Sequence, residues 1–331
     1  MLLPDPSIDV GALARLLATE FDAGQLSPTF VPAGGDSWCY RAGPWWVSVR
    51  RDRQGHFPAN YEAARELRDA GYEFVLAPVR GRSGRVVHTV RGRPVVVTEF
   101  IEERPNSRDG LSRAQLVELS NDVEALHAAR VSADVRSESF DLPFADELDE
   151  GVATAIAGAG AAGPLGSDVS SLVRRNDPRI TDWREEIAVL QERCRATSGP
   201  LVLTHGEPEP PNVIVTPDGE LFLLDWGDLL RAPPERDVLS LRSLGIEPPA
   251  RRDVLRFYEL RWILSEVAEY VSRFTTPHEG DAEDLEKRRE LARYPRVNPA
   301  ALKSHPTSDY IPESGGSSNS SQPSADSSSS A

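Results

Sequence analysis

Apolar and polar residues alternate with a period near two in several short stretches up to residue 101, and with a period near 3.6 beyond it. The first 25 residues are an exception: Val10, Leu13, Leu16 and Leu17 share one face of a short helix that either Ser7 or Asp9 can cap. Around residues 30–40, Phe30, Val31, Trp38 and Tyr40 flank the pair Gly34-Gly35, as strands flank a loop. Residues 45–50, WWVSVR, alternate and are rich in aromatic and β-branched side chains, which predicts a strand. Residues 60–70 predict a helix with Ala63, Ala64 and Leu67 inward and Gly71 as its stop. Three more strands are expected over 74–79, 84–90 and 94–101, with Arg91-Gly92-Arg93 turning between the last two. The sum is a small, mostly antiparallel sheet of about five strands.

Residues 102–108 are polar and contain Pro105, and predict a hinge. After them Ser112 and Gln115 make a capping box, and Leu116, Leu119, Val123 and Leu126 form one helix face that ends at His127, for which a structural role is expected. Residues 151–171 are rich in Ala and Gly without a strong period, which fits a mobile loop or a loosely packed helix. Asp182 is expected to cap a helix bearing Trp183, Ile187, Leu190 and Cys194 on one face. A long helix over 251–274 buries Leu255, Tyr258, Ile263, Val267, Tyr270 and Val271, and a charged helix over 282–294 follows. Ten of the nineteen residues from 313 to 331 are serine, a composition that buries too little apolar area to fold. The chain therefore divides into 1–101, a hinge at 102–108, a helical part at 109–300 and a disordered tail at 301–331, an α+β organisation.

One segment breaks both periods. Residues 201–237, LVLTHGEPEPPNVIVTPDGELFLLDWGDLLRAPPERD, read strand, polar loop, hairpin, polar loop. Pro217-Asp218-Gly219 is hairpin chemistry between 212–216 and 220–224. Glu207, Asn212 and Asp225 all fall where strands give way to loops, and the hairpin brings them together. Two carboxylates and an amide oxygen at one point suit a divalent cation and phosphate.

The net charge of −15 argues against partners that demand basic surface, nucleic acid and anionic membranes, and suits a cationic small substrate. Residues 313–331 carry only two acids and no base, so the acidity belongs to the folded body. Cys39 and Cys194 form no disulfide framework, and Cys194 is expected as a small core residue. The six histidines show no zinc-site spacing. The N-terminus lacks a basic region followed by a long apolar run, and no apolar stretch approaches a membrane span, so a soluble cytoplasmic protein is expected.

The pattern H-G-acid-x₄-N, with L-D-W after a hairpin, is similar to the catalytic segment of the aminoglycoside phosphotransferase family, relatives of the protein kinases. GPLVLTHGEPEPPNVIV, LLDWGDLLRAPPERD and LRWILSEVAEYVSRFTTPHEG resemble the spectinomycin phosphotransferase branch, and the resemblance covers roughly residues 15–295. It implies a bilobal protein-kinase-like fold, with nucleotide bound by 1–101 and catalysis and acceptor binding in 109–300. It further implies ATP, with GTP as the alternative, and Mg²⁺. Glu207 stands where the family has aspartate, and would orient the acceptor hydroxyl and take its proton. Asn212 and Asp225 would hold the metal, while His205 and Asp237 would brace the loop.

For the nucleotide, the resemblance points to Gly34, Gly35 and Ser37 in the first loop, and to the backbone near Glu99 and Ile101 for adenine. The strand lysine of kinase-like folds is absent. Ser48 stands in its place, Arg50 or Arg51 can supply the charge, and Glu62 or Glu66 is the helix acid to pair with it. Acceptor candidates are Glu209, Asp228, Glu235, Trp262, Glu266 and Glu269. The implied partner is a small, cationic hydroxyl compound such as an aminoglycoside, taken up by a monomer or a homodimer. The alternatives are a kinase of another small alcohol of choline or homoserine type, and a weakened nucleotide-binding pseudokinase. An unrelated hydrolase lacks a G-x-S-x-G nucleophile motif.

Overall fold

The computed structural model describes residues 4–33, 37–51, 56–104, 110–158, 162–197 and 199–293. Gly34, Gly35, the Pro105 stretch and the serine-rich tail lie outside the described residues.

Helix α1, Val10–Glu20, is capped by Asp9, whose Oδ1 accepts the Ala12 N–H at 2.8 Å; Leu13 and Leu17 are fully buried, while Val10 stays exposed. Five strands follow: β1 (Thr29–Val31), β2 (Ser37–Ala42), β3 (Trp45–Arg50), β4 (Val87–Val90) and β5 (Arg93–Glu99). They form one antiparallel sheet in the order β1-β2-β3-β5-β4. Arg91 and Gly92 both have positive φ, the turn that matches the twist of a two-residue hairpin. Side-chain alternation splits the sheet into two faces. Tyr40, Ala42, Val47, Val49, Val95 and Val97 pack against Leu13 and Leu17 of α1. Ser37, Cys39, Ser48 and Arg50 line the opposite face, because Ser37 pairs with Arg50 and Cys39 with Ser48 in register. Helix α2 (Pro58–Asp69) lies between β3 and β4 in sequence, with Ala63, Ala64 and Leu67 buried.

Residues 74–79, expected as a strand, form no strand of this sheet and meet it only at Val79, whose N–H donates to Val97 O at 2.7 Å. They run out toward the rest of the molecule: Leu76 N–H donates to Leu223 O at 3.1 Å and Leu223 N–H to Phe74 O at 2.7 Å. Their apolar run is spent on a core of Phe74, Val75, Leu203, Val213, Leu223 and Trp226, so one short extended segment ties the sheet to the hairpin. Arg104 N–H donates to Val215 O at 2.7 Å and makes a second tie.

The remainder is largely helical. Helix α3 (Arg113–Ala128) carries the capping box of Ser112 and Gln115, both halves formed. Helix α4 (Ala145–Ala157) and α5 (Gly166–Thr197) pack with α7 (Arg252–Thr275) around Trp183, Ile187, Phe257, Ile263, Val267 and Phe274. Cys194 is fully buried there. Helix α5 corrects one expectation. It is 32 residues long and begins at Gly166, so Asp182 lies in its interior and not at a cap. Pro178 lies inside it without ending it, because tertiary packing of its apolar face offsets a missing backbone bond. The weakly periodic 151–171 region is mostly helix, where Gly151 leaves room for Val271 (an added Cβ would sit 3.2 Å from its Cγ1). Helix α8 (Ala282–Leu291) closes the described chain.

Candidate active site

Two antiparallel pairs build the centre of 201–237. Strand β6 (Val202–Thr204) pairs with β9 (Leu230–Ala232), and β7 (Val213–Val215) with β8 (Leu221–Leu223). Helix α6 (Glu235–Ser243) starts directly beneath the loop that follows β6.

Asp237 lies in the first turn of α6 and is wholly buried. Its Oδ1 accepts the Gly206 N–H at 2.6 Å, and its Oδ2 accepts the His205 N–H at 3.1 Å. His127 Nε2 donates to the same Oδ2 at 2.9 Å. Burial works to raise the Asp237 pKa. The His127 hydrogen bond and charge, Arg236 and the Gly206 N–H outweigh it and hold the carboxyl below the usual carboxylate range.

His205 is 2% exposed. Burial keeps its imidazole below the ordinary histidine pKa, hence neutral, although Asp237 and the Leu224 carbonyl pull the other way. Its partners assign the tautomer. The Glu207 N–H donates to Nδ1 at 3.3 Å, so Nε2 carries the proton and donates to Leu224 O at 2.6 Å. The ring stands edge-on against Trp226 at 5.0 Å. One neutral side chain thus holds the backbone of Glu207 and the residue before Asp225 together.

The amide of Asn212 closes the gap between the two loops. Its Nδ2 donates to Glu207 O at 3.0 Å, and its own carbonyl accepts the Leu224 N–H at 2.8 Å. Its Oδ1 has no hydrogen-bond partner among the described residues. Asp225 sits in the left-handed region, φ 57° and ψ 65°, which for a non-glycine residue costs roughly 1–2 kcal/mol. Its exposed carboxylate is 3.3 Å from Arg50 Nη1.

Glu207 is exposed at the surface, yet protein atoms crowd closely around its carboxyl. Its pKa is pushed up to about 8, first by lost solvation, then by the negative charges of Glu209, Asp228 and Asp225, with Arg236 opposing. Arg236 bonds Thr204 Oγ1 at 3.0 Å and Asp228 O at 3.0 Å, and its guanidinium covers Gly206. Gly206 has φ 106°, and an added Cβ would stand 2.6 Å from Arg236 Cζ, so glycine is required there on two grounds.

No group of three or more His, Cys, Asp or Glu that could hold a metal occurs among the described residues. The donor set nevertheless fits magnesium: a free Asn212 Oδ1 and the exposed Asp225 carboxylate are hard oxygens, and this ion takes its remaining ligands from phosphate and water.

The nucleotide-side candidates divide. Ser37, Ser48 and Arg50 share the cleft-facing side of the sheet, and Arg50 reaches Asp225. Glu62 does not meet Arg50: its carboxylate is taken by Arg80 at 3.0 Å. Glu66 accepts the Ser132 N–H and hydroxyl at 2.6 and 2.7 Å. Both glutamates lie off the inward face of α2. Glu99 ends β5, and the backbone of Ile101 just past it bonds to no described residue.

Among acceptor candidates, Glu209 and Asp228 lie close enough to Glu207 to raise its pKa. Glu235 is not available: it is 3% exposed and its carboxylate binds Arg251 through Nε at 2.8 Å and Nη2 at 2.7 Å. At the first turn of α6 a buried carboxylate is held by the nearest arginine, leaving nothing to offer a ligand. Trp262 is half-buried against the α4–α5–α7 core, and Glu266 accepts the Tyr270 hydroxyl at 2.6 Å. Glu269 is exposed on the same helix.

Sequence reading passed over Asn60, Tyr61 and Arg236, all of which touch this site. A signal existed for Asn60, an amide at helical spacing from Ala63, Ala64 and Leu67 on the inward face of α2. No comparable signal marked Arg236, which precedes Asp237 among ordinary helix-start charges.

A small antiparallel sheet joined to a helical body, with acid, amide and acid at the loops between them, defines a kinase-like phosphotransferase of small molecules. The chain belongs to the phosphotransferase enzyme family, APH, whose profile matches residues 40–270. It is 40% identical over 308 residues to Protein StrN of Streptomyces griseus, covering 89% of this chain and 96% of that one. Its fold is similar to that of a spectinomycin phosphotransferase solved with ADP and spectinomycin (TM-score 0.68, 16% identity, 88% of this chain and 94% of that chain). It is also similar to that of a microcompartment-associated aminopropanol kinase (TM-score 0.60, 15% identity, 87% and 95%).

Proposed function

We propose that this phosphotransferase moves the γ-phosphoryl group of ATP to a hydroxyl of a small cationic molecule, of which the aminoglycosides are the favoured class. The observation that carries this reading is the convergence of Glu207, Asn212 and Asp225, held by His205 and Asp237, with Glu209 and Asp228 adding negative charge where a cation would enter.

In this reading Glu207 orients the acceptor hydroxyl and takes its proton as the oxygen attacks the γ-phosphorus; the bond to the β-bridging oxygen breaks and ADP leaves. Asn212 Oδ1 and the Asp225 carboxylate would hold magnesium, which would supply positive charge against the nucleotide phosphates. Arg50 supplies the cation that kinase-like folds take from a strand lysine, and its position beside Asp225 supports that role. The backbone of Ile101, which bonds to none of the described residues, supports adenine recognition at the end of β5. Glu207 replaces an aspartate with a side chain one methylene longer. Pro208, Pro210 and Pro211 stiffen its loop, and the turn over Pro210–Asn212 draws the backbone back toward Glu209.

The test is ATP turnover with Mg²⁺ against a panel of aminoglycosides and, separately, choline and aminopropanol. Consumption of ATP dependent on an aminoglycoside, and lost in Glu207→Ala, supports the proposal. Turnover only with the simple amino alcohols moves the acceptor to that class. Nucleotide binding without turnover on any acceptor reduces the protein to a binding module.

A further inference from the structure

Helix α2 meets the metal-side turn through an uncharged contact. Asn60 is fully buried, and its Nδ2 donates to the carbonyl of Gly227 at 2.5 Å. Gly227 lies two residues after Asp225, in the turn over Trp226–Asp228. That glycine is crowded from the N-terminal side: an added Cβ would stand 2.9 Å from the Tyr61 hydroxyl and 3.2 Å from Arg50 Nη2. Arg50 also holds Asp225 itself. The turn is thus gripped at residue 225 from β3 and at residue 227 from α2. It needs a grip, because Asp225 occupies a backbone region that few non-glycine residues adopt unaided.

The two helix glutamates that would pair with a phosphate-binding cation are engaged elsewhere, Glu62 with Arg80 and Glu66 with Ser132. An amide on an otherwise apolar helix face is costly to bury, the more so because its Oδ1 has no partner among the described residues. Its one directed bond is to the turn that carries Asp225.

We propose that Asn60 is a positioning residue for Asp225, coupling the placement of α2 to metal-nucleotide binding through an amide-to-backbone tether in place of a cation–carboxylate pair. The inference rests on reading Asp225 as a metal ligand. Asn60 touches neither substrate nor metal. It fixes the turn so that the Asp225 carboxylate faces the phosphates when magnesium nucleotide arrives.

The test uses the full chain with ADP as the probe. In unaltered protein, calorimetry should show ADP binding strengthened by Mg²⁺. In Asn60→Ala the Mg²⁺ concentration for half-maximal binding should rise about tenfold, the equivalent of one lost hydrogen bond. Metal-free ADP binding should stay unchanged. With an acceptor in hand, kcat should fall by up to about 10²-fold while acceptor KM stays constant, as displacement of one reacting group predicts. A folded Asn60→Ala with the parental Mg²⁺ dependence overturns the inference and leaves the functional reading standing. If the variant does not fold, hydrogen exchange on the unaltered protein decides. Mg-ADP should protect residues 58–62 and 224–229 together, and protection of 224–229 alone overturns the coupling. Absence of any Mg²⁺ effect in the unaltered protein overturns both the inference and the reading of Asp225.

Discussion

His127 Nε2 and Asp237 Oδ2 stand 2.9 Å apart although 110 residues separate them in the chain. The contact joins the end of α3 to the start of α6, and the same carboxylate holds the backbone of His205 and Gly206. Asp237 therefore serves three donors from two directions and leaves none of its oxygens idle.

Asp237→Ala should be strongly destabilising, by about 3–5 kcal/mol, since it strands two buried N–H groups and His127. Urea unfolding measures this. The pH dependence has a definite sign. A carboxyl held below its unfolded value contributes stability above that value, about 3.9, and loses it as pH falls through the folded pKa. The parent should lose more stability than Asp237→Ala between pH 5 and the acid end; parallel curves would contradict the assignment.

Glu207 predicts the opposite direction. With its pKa pushed up to about 8, the free enzyme holds this proton at neutral pH, so kcat/KM should climb with pH through about 8. Glu207→Gln should lower kcat by roughly 10²–10⁴-fold. The carboxyl also costs stability as pH rises from the unfolded glutamate value, about 4.3, to about 8. At pH 9 in the absence of nucleotide, Glu207→Gln should accordingly melt higher than the parent, a difference that shrinks toward pH 5.

Glu235 and Asp228 separate structure from binding. Glu235→Ala breaks the buried pair with Arg251 and should lower the melting temperature by several degrees without changing acceptor KM. Asp228→Asn keeps the turn intact, and should raise KM for a cationic acceptor several-fold with little effect on melting. An increase in KM from Glu235→Ala alone would return Glu235 to the acceptor site.

Gly206→Ala should be costly beyond its size. It forces an L side chain to φ 106° and drives a Cβ into the Arg236 guanidinium. A loss of about 1–3 kcal/mol is expected for the backbone alone. Relief in Gly206→Ala/Arg236→Ala, measured as a double-mutant cycle, would apportion the steric part.

The sequence by itself determined the local elements on which the proposed site is built. The period change near residue 101, the capping box at Ser112 and Gln115, and the hairpin around Gly219 are local signals, fixed by neighbours a few residues apart. So are the positions of Glu207, Asn212 and Asp225 at strand ends. What only the tertiary structure decided is where competing groups of the same type go. Glu62, Glu66, Glu207 and Glu235 are alike in sequence. Arg80 and Ser132 hold the first two away from the cleft, Arg251 buries the last, and Glu207 alone remains in the acidic cluster. Residues 74–79 read as a sheet strand from their apolar run, yet Phe74 and Leu76 pair with Leu223, nearly 150 residues on. Partners at that distance are chosen by packing, which no local period encodes.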